Sequence, residues 1–288
     1  MEIVVQIALN AVIAGALYSL AALGFNLVYS TTKFFDLGYG AYAAAGAYAV
    51  FFFYKQIGLG LTLSLIIGIC IAGLLGFLIE KIVYRQLRKR KASGTVFIIA
   101  SLGVLTVIQA VIAILFSSQF QTLSRNLGES RLYHISGGVL TETQVLILIV
   151  GLVIMAALGL TLRFTMFGKA IRAISDDEEV AEIVGINSER VIGIVFFIGA
   201  AIAGIAGIAA GFDTGIQPTM GMALLLSGVV AAIVGGVGNV YGGVAGAFLL
   251  AAVENAGVWY LSGEWKSAIA FLILILFLLF RPQGIFPK

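Results

Sequence analysis

Gly168-Lys-Ala-Ile-Arg-Ala-Ile-Ser-Asp-Asp-Glu-Glu-Val-Ala-Glu-Ile-Val-Gly185 is the only sizeable polar run of the sequence with long apolar segments on both sides. The run predicts two short helices. Ser175 is placed to cap the second helix, and Glu178, three residues later, would complete a capping box. The acidic residues 176–179 fall in the first turn, where the helix dipole favours negative charge, and Gly185 is a natural C-terminal stop.

The second of these short helices is amphipathic. Val180, Ile183 and Val184 have the i, i+3, i+4 spacing that places them on one face. Helices that lie on a lipid surface favour Lys and Arg on the polar face, whereas this segment is acidic at its start. The pattern therefore favours a protein partner over the lipid surface.

The rest of the chain has the composition of a membrane protein. Apolar residues make up 61% of its 288 residues and charged residues 11%, against roughly 25% charged residues in soluble domains. Because a spanning helix needs about 20 apolar residues, we count nine candidate segments: 3–29, 38–54, 59–83, 95–116, 143–163, 190–212, 221–237, 242–261 and 266–281. We predict an all-α polytopic membrane helix bundle of about 8–9 transmembrane segments, forming a single domain over 1–288.

Some of these spans are irregular in sequence. The segments 38–54, 221–237 and 266–281 are short, and the dense glycines of 38–46 and 235–246 indicate broken helices or re-entrant turns. Because Met1-Glu2 carries no basic region and no cleavage site follows, we expect the first apolar run to be a retained helix and not a signal peptide.

The basic residues predict the orientation in the membrane. With nine spans and the N-terminus outside, the outer side holds Lys55, Arg125, Arg131 and Lys266, and the inner side holds the other lysines and arginines, including the run 85–91. This split follows the positive-inside rule. It predicts a cytoplasmic C-terminus, a cytoplasmic loop at about 164–189 and an external loop at about 117–142. The basic run is expected to touch anionic lipid and not nucleic acid.

Polar residues inside the spans are candidates for a transport pathway. A lipid-facing Glu254 would cost on the order of 2.5–3.5 kcal/mol, so it is expected to face the interior, a cavity or a partner, in a functional or a structural role. Asp36 precedes a small-residue helix whose tyrosines could serve packing, interface anchoring or a pore lining. The candidate pathway residues are Asp36, Gly38, Tyr39, Gly40, Tyr42 and Glu254.

Glycines and charges near the span ends have structural interpretations. Close packing or turns are predicted at Gly207, Gly211, Gly235, Gly236, Gly238 and Gly242. Glu80 and Lys81, at the end of the third span, are expected to snorkel to the lipid headgroups.

Motifs for catalysis and cofactor binding are absent from the sequence. It contains no Gly-x-x-x-x-Gly-Lys-Ser/Thr phosphate loop and no His/Cys cluster, and His134 is the single histidine. We therefore predict no enzyme activity, no metal site and no cofactor bound by this chain. The polar loops are also too short for a nucleotide-binding domain of about 50–200 residues, so any ATPase must be a separate polypeptide.

Five segments together identify a family resemblance. They are the stretch 168–187, the helix Gly193…Gly211, the glycine-rich Val234–Asn239, the tail Arg281-Pro-Gln-Gly-Ile-Phe286 and the first-half stretch Leu23–Tyr29. In order, and over nearly the whole chain, they resemble branched-chain amino acid ABC transporter permeases of the LivH/LivM family. The order and the short tail are more similar to LivH than to LivM.

The resemblance implies a subunit of an inner-membrane importer. Its partners would be a second, LivM-like permease, two cytoplasmic ATPases that carry ATP and Mg, and an external substrate-binding protein. The cytoplasmic loop would couple to the ATPases through Gly168, Lys169, Ala170, Arg172, Ala173, Ala181, Gly185, Ile186 and Asn187.

One departure from the family pattern leaves the substrate open. The family commonly has Asn-Phe-Ala-His-Gly where this chain has Asp36-Leu37-Gly38-Tyr39-Gly40. Branched-chain amino acids are the first expectation, and urea or short amides are the alternative. An ion-coupled secondary transporter is the rival mechanism, but it would need ion-coupling carboxylates deep in the membrane, and Glu254 is the one clear candidate.

Overall fold

The computed structural model describes residues 2–123, 132–135 and 137–286. The helices are α1 Glu2–Thr32, α2 Tyr39–Val50, α3 Leu61–Ile79, α4 Arg85–Lys89, α5 Gly94–Phe116, α6 Glu142–Phe164, α7 Met166–Asp176, α8 Glu178–Ile183, α9 Ser188–Asp213, α10 Met220–Gly235, α11 Val240–Tyr260 and α12 Lys266–Phe280. A π-helical stretch, Phe51–Gln56, extends α2, another, Glu80–Tyr84, joins α3 to α4, and a 3-10 turn, Gly263–Trp265, precedes α12. Strands β1 Leu132–Ile135 and β2 Gly138–Thr141 pair antiparallel.

The described residues form the expected all-α polytopic bundle. Each of the nine predicted segments coincides with a helix, and seven helical stretches are long and apolar enough to cross a bilayer. The two that fall short are α10 and α2 with its π-helical extension. The predicted break in 235–246 is confirmed, because α10 ends at Gly235 and α11 begins at Val240. The break predicted in 38–46 is wrong, because α2 runs without interruption from Tyr39 to Val50 and its glycines serve close packing instead.

The bundle has two chemically different ends. At the basic end, the Lys33 ammonium after α1 donates to the Ser175 hydroxyl of α7 at 3.3 Å. At the opposite end, which we call the hairpin end, Gln6 of α1 accepts from the Val139 amide of β2 at 2.8 Å. Arg125, Arg131 and part of the predicted external loop 117–142 lie outside the described residues. Within the described part of that loop, Gln121 forms an isolated bridge with Ile216, and β1 and β2 form a β-hairpin.

Helix α9 is the centre of the bundle, and its backbone packs closely on those of α1 and α2. Gly46 of α2 lies so near to Gly204 that an added Cβ would be 2.7 Å from the Gly204 Cα, and a Cβ on Gly207 would overlap the Ala43 carbonyl. On α1, a Cβ on Gly24 would lie 2.8 Å from the Gly199 carbonyl oxygen. Small residues allow this backbone-to-backbone approach, which supplies much of the packing energy between helices in lipid.

The C-terminal tail completes the basic end of α10. The Ile285 amide donates to the Val234 carbonyl at 2.9 Å, and the Phe286 amide donates to the Gly235 carbonyl at 3.1 Å. Gly236, which follows α10, has φ +117° and lies against the Phe286 carbonyl, so a side chain there would be both strained and obstructed. The tail therefore pairs carbonyls that a helix end would otherwise leave free.

Replacing Gly207 with alanine should destabilise the protein because the new methyl group overlaps the Ala43 backbone, which cannot move without displacing α2. We expect a loss of about 1–3 kcal/mol, measured from the thermal unfolding of the detergent-purified protein. Gly103→Ala in α5 is the matched control, since a Cβ there meets nothing within 4 Å. Equal melting temperatures for the two variants would contradict the packing argument.

Candidate functional site

The segment that joins α6 to α9 begins with a tight turn at the basic end. Thr165 caps α7, and its side chain accepts from the Gly168 amide at 3.1 Å. A Cβ on Gly168 would overlap the Leu162 backbone, so the turn requires glycine. The Arg172 guanidinium donates to the Leu162 carbonyl and fixes α7 against the end of α6.

The predicted capping box at Ser175 is wrong. Helix α7 continues through Ser175 to Asp176, and Asp177 adopts an extended conformation and caps α8, its carboxylate accepting from the Val180 amide at 3.0 Å. The physical reason is a tertiary contact, because the buried Ser175 hydroxyl accepts from the Lys33 ammonium instead of capping the next helix.

The predicted stop at Gly185 is confirmed. Gly185 has φ +90°, its amide donates to the Glu182 carbonyl at 3.0 Å, and the Ile186 amide donates to the Ala181 carbonyl at 3.0 Å. This pair of bonds is the Schellman motif, which favours glycine at the left-handed position. The two caps hold α8 in helical form despite its length of six residues.

The apolar stripe of α8 is exposed. Val180, Ile183 and Val184 are 55%, 83% and 70% accessible, and together they form what we call the docking face. Ala181 points the other way and is buried. Of the other predicted coupling residues, Lys169, Arg172, Gly185 and Asn187 are exposed, Ala170, Ala173 and Ile186 are half-buried, and Gly168 is buried.

Charged side chains hold α8 and the start of α9 near α4. Arg85 and Lys89 both pair with Glu189, the latter at 3.3 Å. Partial burial raises the pKa of the Glu178 carboxyl, and the nearby Arg88 guanidinium opposes this effect. Arg88 also pairs with Glu80 at 2.5 Å.

The prediction that Glu80 snorkels to the headgroups is wrong. Its side chain is buried, and its partner is Arg88, one π-helical turn and one α-helical turn further along the chain. Burial of a carboxylate requires such a partner, and Arg88 supplies it from eight positions further along the chain.

A second candidate site is a cavity at the hairpin end. It has a volume of about 720 Å³ and lies between α1, α9, α10 and the start of α12, within the usual range of about 300–1,000 Å³ for ligand sites. Its polar lining is Asn10, Tyr18, Gln144, Asp213, Thr214, Gln217, Ser227, Asn255 and Lys266, and its apolar lining includes Ile13, Leu17, Phe120, Met220 and Leu224.

Glu254 lies beneath this cavity and faces the interior, as expected from the free-energy cost of exposing its carboxylate to lipid. It is 1% exposed, and its carboxylate accepts a 2.7 Å hydrogen bond from the Tyr18 hydroxyl of α1. Tyr18 borders the cavity. The pair therefore joins α1 to α11 at the cavity floor.

The other predicted pathway residues are in the core. Asp36 is buried and accepts from the Tyr84 hydroxyl at 2.6 Å and from the Gly38 amide at 2.9 Å. Gly38, Gly40, Tyr39 and Tyr42 are likewise buried, and none of the five borders the 720 Å³ cavity. In this conformation they support the start of α2, and a role in lining a pathway stays a prediction.

The glycines predicted to pack or turn lie at close contacts. Gly207 abuts α2, and Gly211 lies against Leu123 and Ile216, where the chain crosses the hairpin end. Gly235 and Gly242 touch each other through their backbones, while Gly236 and Gly238 have positive φ in the turn between α10 and α11.

In the described part of the chain, no group of three or more His, Cys, Asp or Glu side chains could hold a metal ion. His134 lies in β1, and Cys70 lies in α3 as a free thiol. Neither residue contributes to the docking face or to the cavity.

The fold and these sites define a multi-pass α-helical membrane protein of the transport class. One solved structure, titled "PsaBC from Streptococcus pneumoniae in complex with Fab", shares the fold with a TM-score of 0.54 at 16% identity, over 95% of this chain and 91% of that one. The family described as "Branched-chain amino acid transport system / permease component" matches residues 7–278. The chain belongs to this family and is an inner-membrane permease component.

Named relatives align with nearly the whole of this chain. The high-affinity branched-chain amino acid transport system permease protein LivH of Salmonella typhimurium is 31% identical over 97% of this chain and 94% of its own. A probable LivH of Methanocaldococcus jannaschii is 30% identical over 96% and 90%. The LivM protein of Escherichia coli K12 is 26% identical over 94% of this chain and 68% of its own length.

Sequence reasoning missed the residues that complete each site. Tyr18 and Tyr84 bind buried carboxylates from helices distant in the sequence, and no local pattern marks them. Asp213 and Lys266 had a detectable signal, because each is a charge at the boundary of an apolar segment, but only the three-dimensional packing places them around one cavity.

Replacing Tyr18 with phenylalanine should destabilise the protein, because the buried Glu254 carboxylate then loses the hydroxyl that donates to it. We expect a cost of about 1–3 kcal/mol, read from thermal unfolding in detergent. Tyr260→Phe is the control, since Tyr260 is 86% exposed at the end of the same helix as Glu254. A Tyr18 variant as stable as this control would show that the hydrogen bond does not hold α1 to α11.

Proposed function

We propose that this chain is the permease subunit of an ATP-binding cassette importer that carries branched-chain amino acids across the inner membrane. Support for the substrate class comes from the full-length relatives named for branched-chain amino acid transport. The energy for transport would come from separate ATPase subunits, because the sequence has no phosphate-binding loop. In this proposal the chain itself binds no ATP or Mg; both belong to the ATPase subunits.

The observation that carries the proposal is the docking face of α8. Val180, Ile183 and Val184 are exposed on a short helix that is capped at both ends and lies in the polar connection between α6 and α9. Exposing such residues to water is unfavourable, and a hydrophobic face presented on a short amphipathic helix fits a groove in a protein partner. An ATPase subunit is the partner that the function requires there.

The same proposal sets the orientation. The docking face lies at the basic end, together with Lys33, Arg85 and Lys89, and basic residues favour the cytoplasmic side of a membrane. We therefore place the coupling loop of about 164–189 and the C-terminus in the cytoplasm, and the N-terminus with the loop of about 117–142 outside. Residues 1–288 act as one transmembrane domain.

The remaining partners follow from the transport cycle. A second permease subunit would complete the pathway, and the similarity to LivM supports a related but different chain in that position. Two ATPases would bind at the cytoplasmic side, and an external binding protein would deliver substrate to the hairpin end. Movement of the docking helix would then pass into α9, which begins directly after it.

Urea or a short amide is the alternative substrate, raised by Asp36 and Tyr39 in place of the family's usual residues. Both residues are buried in the core. Uptake assays with leucine, valine, urea and acetamide, using the cognate binding protein, separate the two proposals.

Val184→Glu should abolish co-purification of the ATPases while leaving membrane insertion intact, because it places a charge in the docking face. The control is Val4→Glu, which makes the same change at a residue that is equally accessible, 70%, but lies at the hairpin end. The measurement is the ATPase-to-permease ratio after affinity purification. Full recovery of the ATPases with Val184→Glu would defeat the docking proposal.

Transport by the reconstituted complex should require ATP on the cytoplasmic side and should be indifferent to ion gradients. An ionophore added at constant ATP is expected to leave the initial uptake rate unchanged, since the energy enters through the ATPases. Collapse of uptake under these conditions would favour the ion-coupled secondary transporter.

A further inference from the structure

The cavity at the hairpin end carries two charges of opposite sign at unfavourable helix ends. Asp213 is the last residue of α9, where the helix dipole is already negative, and Lys266 is the first residue of α12, where it is already positive. Each position attracts a ligand charge opposite to that of its side chain. Both residues line the same cavity.

Neither charge is neutralised by a close ion pair within the described ranges. Asp213 accepts a 3.3 Å hydrogen bond from the Gln144 amide, and no opposite charge lies within 4 Å of it or of Lys266 among those residues. Glu254, beneath the floor, is within electrostatic reach of Lys266, but its hydrogen bond is to Tyr18. Both side chains can therefore bind a ligand group of opposite charge.

The wall between these charges is apolar. Ile13 and Leu17 of α1 face the cavity from one side, and Met220 and Leu224 of α10 face it from another. Below this level the helices close, because a Cβ on Gly228 of α10 would lie 2.8 Å from the Ala21 Cβ of α1. The cavity is thus a pocket that opens at the hairpin end, with a cationic group, an anionic group and a surface for a hydrocarbon side chain.

We propose that this cavity is a recognition subsite for a zwitterionic α-amino acid within the permease itself. Lys266 and the N-terminus of α12 receive the ligand carboxylate, Asp213 and the C-terminus of α9 receive the ammonium group, and the apolar wall receives the side chain. The inference rests on the proposed transport of branched-chain amino acids and adds that this subunit selects its cargo after the binding protein releases it.

The test is direct binding of radiolabelled leucine to the complete complex in nanodiscs, without the external binding protein. Asp213→Asn and Lys266→Gln should each weaken binding about tenfold, the ratio that corresponds to loss of one charge-assisted hydrogen bond. Glu264→Gln and Lys55→Gln are the matched controls, because both residues lie near the hairpin end but do not line the cavity. They should bind leucine as the wild type does.

Competition with 4-methylpentanoate, which is leucine without its ammonium group, separates recognition from folding. The wild-type complex should prefer leucine, and Asp213→Asn should lose that preference while its melting temperature stays unchanged. Absence of leucine binding by the wild type, or an unchanged preference in Asp213→Asn, would overturn the subsite.

Failure of the subsite is distinguishable from failure of the transport proposal. ATP-driven leucine uptake by the wild-type complex with its binding protein tests transport alone. Uptake that is present in the wild type and unaltered in both cavity variants would leave the transport function standing and would reject the subsite. Absence of any amino acid uptake by the wild type would reject the transport function.

Discussion

Backbone contact between α9 and its neighbours is the constraint on which the rest of the bundle depends. Helices in lipid gain little from the hydrophobic effect when they associate, so close packing must hold them together. In this protein the contact is made where Gly204 and Gly207 meet α2 and where Gly199 meets α1. Since these positions admit no side chain, the register of α9 against α1 and α2 is set by where glycines occur in these helices.

The two candidate sites lie at opposite ends of that same helix. Asn187, which caps the start of α9, directly follows the docking segment, and Asp213, which ends α9, borders the cavity. The 26 residues between them form one uninterrupted helix of about 39 Å. Under the proposed coupling, α9 would carry a displacement of the docking helix to the cavity as one rigid body, without a chain of side-chain rearrangements between the two sites.

Local patterns in the sequence predicted the helices well and the tertiary contacts poorly. Long apolar runs marked all nine elements of the bundle because each must be apolar enough to stay in lipid, and Gly185 marked the end of α8 because only a left-handed residue closes a Schellman motif. The capping box at Ser175 failed because Lys33, 142 positions away in sequence, uses its hydroxyl. The prediction for Glu80 failed for a different reason. Its partner Arg88 is only eight positions away, but an intervening π-helical turn brings the two side chains together, and no local pattern in the sequence predicts that turn.

The cavity could not be predicted from the sequence, for a related reason. Its lining is drawn from α1, α6, α9, α10, α11, α12 and two connections, each of which contributes only a few residues. Single charges such as Asp213 and Lys266 look like ordinary span boundaries until the helices are assembled. Because the lining residues come from so many elements, they form no local sequence motif.

The pairing of residues 285 and 286 with α10 has a consequence for the order of assembly. The carbonyls of Val234 and Gly235 accept from the amides of Ile285 and Phe286, which follow α11 and α12 in the chain. These carbonyls therefore have no such partners until both of those helices have been synthesised. Closure of the basic end of α10 is thus a late step in the assembly of the bundle, although α10 itself is made earlier.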